Sequence, residues 1–284
     1  MKKNKPSQTA LKVALNIIAL GNVDSMKNVL PDGIVEATAD LLKAAGAVSQ
    51  KTIEKHQSPK IVSLYKKFDW LLPGQFETFG YRKSFIEQNV RNSLKTGTGQ
   101  VLVLGAGYDT LAYRLSSVFS TVNFFEIDGP ETAQMKITGL KHLGAADNIF
   151  VIPEDLGKKK LSEVLEADSN WSINKKTIII AEGLLQYLNP ESVFDLFSEC
   201  RKISGARSQF IFTYIGKRPD GKPDAGPRSG IMLWLMKVSG EPWLWSATAD
   251  ELKKLLNETG WEYLSGLTGA DNKRGIEYFT SAVK

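Results

Sequence analysis

Hydrophobic and polar positions divide the chain into two textures. From residue 7 to residue 95, apolar side chains recur at three- and four-residue steps, as in TALKVALNIIALG and DGIVEATADLLKAAGA, the period of helices buried along one face. Thr9 or Ser7 and Asp32 stand where N-caps belong, and Gly21 and Gly46 where such helices stop. Pro59 fits the first turn of SPKIVSLYKKFDWLL, which Pro73-Gly74 breaks, and a helix from about Phe79 to Leu94 ends in the polar turn KTGTG.

From Gln100 the texture becomes short β-branched and aromatic runs alternating with helical segments. QVLVL, TVNFFEI, NIFVI, KTIIIA and SQFIFTYI read as strands, with helices over Asp109 to Ser116, Gly129 to Leu143, Leu161 to Leu165 and Pro190 to Ile203. These strands are apolar on both parities, which suits a parallel sheet covered on both faces in a doubly wound α/β fold. After Ile215 comes GKRPDGKPDAGPRSG, rich in Pro, Gly and charge and expected to be a mobile loop, then the apolar helix candidate IMLWLMKV. A helix capped by Thr248 or Ser246 and stopped by Gly260 follows, and strands near Trp261 to Leu267 and Ile276 to Val283, joined by the turn TGADNKRG, close the sheet. Two units are expected: a helical region over 1–95, part of the substrate cover, and an α/β domain over 96–284 that carries a lid-like insert at about 216–245.

Composition narrows the chemistry. The 284 residues are 42% hydrophobic, enough for a sizeable core, and the net charge of +5 is scattered apart from Lys2, Lys3, Lys5 and Lys158 to Lys160. Solvated ends and loops account for that pattern, and no nucleic acid is expected as a partner. The single cysteine, Cys200, sits on an apolar helix face and points to packing in a reducing compartment. His56 and His142, the only histidines, have no partner at metal-ligand spacing, so no metal is expected. Lys12 and Asn16 interrupt the N-terminal apolar stretch, and no run approaches a membrane span. A cytoplasmic protein without a membrane partner is the expectation.

The chemical signal begins in VLVLGAGYDTLAYRL. Gly105 and Gly107 follow a buried strand and precede a helix, where small residues admit a close backbone approach and the helix start offers free N–H groups. Such a turn either cradles a nucleotide-bearing ligand or is only a tight turn. The third glycine of the dinucleotide fingerprint is absent, because that position is Thr110. Asp128, 23 residues after Gly105, ends the second strand, where a carboxylate can accept both ribose hydroxyls. Asp155 in PEDL and Glu182 in AEGLLQYL end the next two strands. Each acid alone also reads as a turn or cap residue, and Arg82 as a surface arginine. Together the acids line the mouth of one crevice, repel a pyrophosphate, and suit a cofactor with a sulfonium and a free amine.

RKSFIEQNVRNSLKTGTGQVLVLGAGYDTLAYRL, FFEIDGPETAQMK, PEDL and AEGLLQYLNPESV, in this order and spacing, resemble the leucine carboxyl methyltransferase family. The resemblance is clear over residues 80 to 200 and looser towards the C-terminus. It implies the class I S-adenosylmethionine-dependent methyltransferase fold, a mostly parallel seven-stranded sheet with a helical N-terminal extension and an insert after strand five. It implies S-adenosyl-L-methionine as cofactor. Arg82 would then pair with the methionine carboxylate, Gly105, Ala106 and Gly107 lie beneath the amino-acid part, and Asp128 hold the ribose. Asp155 and Leu156 would flank adenine, and Glu182 would lie near the methionine amine. Where phosphatase-directed members carry Tyr-Glu after strand five, this chain ends the strand Tyr214-Ile215, so a phosphatase tail is not the expected acceptor.

The expected activity is methyl transfer to oxygen of a small molecule, either a carboxylate, which needs no general base, or a hydroxyl, which wants one. Tyr187 and Tyr214, near strand ends, are candidates for orienting the acceptor, or else ordinary core tyrosines. Ile231 to Met236, with Trp234, Trp243 and Trp245, form either a lid over the acceptor or packing against the sheet. The alternatives are a nicotinamide-dependent oxidoreductase and a non-catalytic module that binds the cofactor without turnover.

Overall fold

A computed structural model describes residues 6–267 and 276–284. Its first part is helical: α1 (Gln8–Leu20), α2 (Ile34–Ala44), α3 (Gln50–Gln57), α4 (Lys60–Lys67) and α5 (Gln75–Lys95). Ser7 caps α1 by accepting the Ala10 N–H. Asp32 does not cap α2. Gly33, at φ 70°, takes that place, because the chain enters the helix through the left-handed region that glycine tolerates. Likewise α5 starts before the predicted Phe79, at the left-handed Gly74, whose N–H donates to Asp69.

The second part alternates: β1 (Gln100–Leu104), α6 (Leu111–Ser116), β2 (Asn123–Asp128), α7 (Pro130–His142), β3 (Ile149–Pro153), α8 (Leu161–Glu166), β4 (Thr177–Ala181), α9 (Pro190–Lys202), β5 (Gln209–Ile215), α10 (Ser229–Ser239), α11 (Ala249–Glu258), β6 (Glu262–Leu267) and β7 (Glu277–Val283). Among the described residues the strands form one seven-stranded sheet in the order β3-β2-β1-β4-β5-β7-β6. Pairing is parallel from β3 to β5, and β7 enters antiparallel between β5 and β6. This is the closing hairpin that the sequence predicts. The predicted turn TGADNKRG, residues 268–275, and Lys2, Lys3 and Lys5 lie outside the described residues.

Strand parity explains the two-sided burial. Leu102, Leu104, Phe125, Ile179, Phe210 and Phe212 pack on one face beneath α8, α9 and α11, with Cys200 inside that core. Val101, Val103, Phe124, Ile178 and Ile211 pack on the other beneath α5 and α6. The helical region docks on this domain, with Ala14, Ile18 and Leu41 against Tyr108 and Leu140. Thr248 caps α11 in a reciprocal capping box with Glu251. The loop 216–228 folds back on itself: the Asp224 N–H donates to the Gly216 carbonyl at 2.7 Å and the Ala225 N–H to the Ser229 hydroxyl at 2.9 Å. No helix among the described residues is long and apolar enough to cross a membrane.

Tyr214 belongs to the α9 face. It is 5% exposed, stacks on Tyr278 at 5.0 Å and meets Trp245 at 6.3 Å. Burial, with Tyr278 and Tyr263 nearby, pushes its phenol up to about 12. The unfolded chain ionises the phenol near pH 10. Its protonated burial therefore contributes fully below that pH and is lost as pH rises towards the folded value. Tyr214→Phe is accordingly expected to flatten the fall in stability between about pH 10 and pH 12, measured by urea denaturation across that range. An unchanged alkaline decline would contradict the assignment.

Candidate functional site

The strand order reverses between β1 and β4, and parallel α/β sheets leave a crevice outside the strand ends at such a point. A cavity of about 1380 Å³ occupies it here. Arg82, Gly105, Ala106, Gly107, Asp128, Asp155, Leu156 and Glu182 all line this cavity, as does Tyr187. Tyr214 does not line it. Period-two alternation turns its side chain to the α9 face, while the next residue, Ile215, reaches the cavity wall.

Gly105 and Gly107 have φ of 66° and 49°, conformations that L side chains rarely adopt. A Cβ on Gly107 would lie 2.9 Å from Ala10 Cβ, so α1 rests directly on the turn. The Gly107 N–H donates to Asp128 Oδ2 at 2.6 Å, and the Gly129 N–H to Oδ1 at 2.7 Å. Burial raises the Asp128 carboxyl above its ordinary value, and these two amides oppose the rise. At the start of α6, the Leu111 N–H donates to Asp109 Oδ1 at 2.6 Å. Both the turn amide and the helix-start amide are thus engaged by the protein's own carboxylates. The sequence reading expects them free.

Beside the turn runs a buried chain of alternating charge. Arg82 Nη1 meets both oxygens of Glu277, at 2.9 and 2.7 Å, and Nη2 meets Glu182 Oε1 at 2.8 Å. Lys83 Nζ meets Glu182 Oε2 at 2.8 Å and also pairs with Asp109. Gln75 donates to Glu277 at 3.1 Å, and the Arg82 guanidinium lies over the Phe79 ring. Burial alone would raise the Asp109 carboxyl, but Lys83 and Lys136 hold it well below the usual carboxylate range. Burial also works against the Lys83 charge, which Asp109 and Glu182 more than restore. Arg82 and Glu182, placed by the resemblance on opposite charges of one ligand, therefore bind each other, and Arg82 Nε is left buried with no partner among the described residues.

The two ends of the cavity differ. At one end Asp155 is half exposed and pairs with Lys158 at 3.0 Å, while Leu156 packs against the core. At the other, α1 and the insert form the cover. Met232, Leu235, Met236 and Trp243 line the cavity, Trp245 is buried in the core, and Trp234, Ile231 and Val238 face solvent. The insert thus divides its apolar residues between covering the cavity, packing and an exposed outer stripe.

Lys83, Asp109 and Glu277 were missed by sequence reasoning. Lys83 sits beside Arg82 in a helix whose polar residues read as solvated, and Asp109 reads as a helix-start residue. Glu277 is the one charged residue of its strand, EYFTSAV, a signal that could have marked it, although its partner lies 195 positions away.

Comparison with known proteins shows the family. The family model described as leucine carboxyl methyltransferase matches residues 24–201, more than half of the chain. The match starts well before residue 80 and takes in α2, α3 and α4, while α1 lies outside it. A relative from Bacillus subtilis (strain 168), named as an S-adenosyl-L-methionine-dependent methyltransferase, is 29% identical over 65% of this chain and 62% of its own length. Another so named, from Mycobacterium marinum, is 30% identical over 53% of this chain and 48% of its own. The chain therefore spans about half to three-fifths of the curated relatives it matches. A crystal structure from Thermobifida fusca, described as a methyltransferase, aligns with a TM-score of 0.58 and 15% identity over 92% of this chain and 97% of that one. That likeness shows a shared fold.

Removing one member of a buried ion chain leaves a desolvated, unpaired charge, at a cost of about 3–5 kcal/mol. Arg82→Ala, which strands Glu277 and part of Glu182, should lower Tm by roughly 6–15 °C. A thermal melt within 2 °C of the wild type would show that the chain does not carry this weight.

Proposed function

The chain belongs to the leucine carboxyl methyltransferase family, and from that premise we propose that it is an S-adenosylmethionine-dependent methyltransferase acting on an oxygen of a small molecule. One observation carries the reading. The buried chain on the cavity wall joins three carboxylates to two cations, an excess of negative charge beside the glycine turn. The full lining repeats the bias, with ten carboxylates against six cationic side chains. Such a wall favours a ligand with a positive centre and disfavours a pyrophosphate.

The residues present fit the cofactor. Asp128 keeps lone pairs for two hydroxyls after accepting two amides. Arg82 Nε, buried without a partner, is a donor for a carboxylate, and Glu182 at the same wall offers negative charge to an amine. Gly105 and Gly107 add no side chain of their own to the turn, against which Ala10 and Leu184 pack. When bound, the cofactor supplies an activated methyl group on sulfur. The protein's part is to hold the acceptor oxygen close to it and to exclude water under α1 and α10.

A nicotinamide dinucleotide fits less well. Its pyrophosphate needs the turn and helix-start amides, and Asp128 and Asp109 already accept from Gly107 and Leu111. Calorimetry with S-adenosylmethionine and with NAD separates the two. S-adenosylmethionine is expected to bind and NAD not, and Asp128→Ala is expected to weaken S-adenosylmethionine by about 1.5 kcal/mol or more, roughly tenfold. NAD binding alone would overturn the proposal, and cofactor binding without any S-adenosylhomocysteine formed across an acceptor panel would favour a non-catalytic module.

A further inference from the structure

Among the described residues, twelve large apolar side chains stand exposed, and six of them fall in two short segments. Leu64, Phe68 and Trp70 belong to α4 and the turn after it, and Ile231, Trp234 and Val238 form a stripe at i, i+3 and i+7 along α10. All six are between 43% and 66% exposed. The two segments meet at Arg228, which donates to the Trp70 carbonyl at 2.6 Å and lays its guanidinium over the Trp70 ring at 5.1 Å. Their inner sides are occupied: Tyr65 and Leu72 of the first segment and Met232, Leu235 and Met236 of α10 line the cavity. The exposed residues are the outer face of the cavity's cover, and apolar exposure gathered in this way marks an interaction surface.

The charge on this face has one sign. Residues 60–72 and 228–238 carry five cations, Lys60, Lys66, Lys67, Arg228 and Lys237, all exposed, against the single acid Asp69. Asp69 is already engaged, because it accepts the Gly74 N–H. An excess of four in these two stretches compares with an excess of five in the whole chain. Trp and Phe set among Lys and Arg suit the headgroup layer of a bilayer, where rings and aliphatic side chains enter the acyl boundary and the cations stay beside lipid phosphates. Interfaces between proteins are instead depleted in lysine. The sequence expectation of no membrane partner follows from the lack of a spanning run, and a face that lies on the surface needs none.

We propose that this face docks on an anionic lipid bilayer, with the exposed side chains of α4, its following turn and α10 entering the headgroup boundary and the five cations meeting lipid phosphates. The inference is independent of the methyltransferase reading, because it concerns the outside of the cover and its test reads binding alone.

The probes are sucrose-loaded vesicles of phosphatidylcholine, with and without phosphatidylglycerol at about a third of the lipid, sedimented with the full chain. The anionic vesicles are expected to bind at least about tenfold more tightly than the neutral ones, and high salt to weaken the binding. Lys66→Gln together with Lys67→Gln should weaken it by about 25-fold, roughly fivefold for each lysine. Phe68→Ser and Trp234→Ser, one in each segment, should each weaken it by at least about fivefold. Both positions are exposed, so Tm should stay within about 2 °C of the wild type. No sedimentation with anionic vesicles, or equal binding to neutral ones, overturns the proposal. Binding that survives either serine variant overturns it too, since the face needs both segments. Sedimentation velocity without lipid tests the rival occupant, a second copy of this chain: a dimer that Trp234→Ser dissociates would assign the face to self-association and overturn the proposal.

Discussion

The alternating run Glu277, Arg82, Glu182, Lys83 and Asp109 is the constraint on which the site depends. Its members come from β7, α5, the end of β4 and the turn after β1, so one polar chain ties the sheet's antiparallel end to its parallel centre through a single helix. Each ion lost its hydration on burial, and mutual attraction repays that only when every partner is present. The chain therefore contributes less to net stability than to register. Sliding α5 by one residue would move Arg82 and Lys83 round the helix by about 100° and leave three carboxylates unpaired.

That register sets the glycine turn. Asp109, held by Lys83, also accepts the first amide of α6, and Gly107 two residues earlier donates to Asp128. The turn is thus fastened at both sides by carboxylates, and α1 closes it from above through Ala10. A second buried pair, Lys136 with Glu126 at 2.8 Å, lies beneath β2, where burial raises the Glu126 carboxyl. Lys136 also draws Asp109 and Asp128 towards their charged forms, so it couples the floor of the site to the ion chain.

What the sequence made legible follows from short-range physics. Strand and helix positions came from local periodicity, and Gly105, Asp128, Asp155 and Glu182 share one edge because parallel strands all end on the same side. Two kinds of information were illegible. The run SQFIFTYI is apolar on both parities, so nothing local says that Tyr214 faces α9 and Ile215 the cavity. Pairings across long separations, such as Arg82 with Glu277, leave no periodic trace, because each partner looks like an ordinary polar residue in its own segment.

The ion chain is built differently from the single carboxylate of the cover, Glu241. Around the glycine turn, acids and bases are interlocked, and protonating or deprotonating one member disturbs all the rest. Glu241 is not a member of this set: it lines the cavity at the foot of α10 and accepts from the Thr9 hydroxyl of α1. The fold thereby separates two tasks that carboxylates perform in one cavity. The ion chain holds charge beside the glycine turn, and Glu241 ties the foot of α10 to α1.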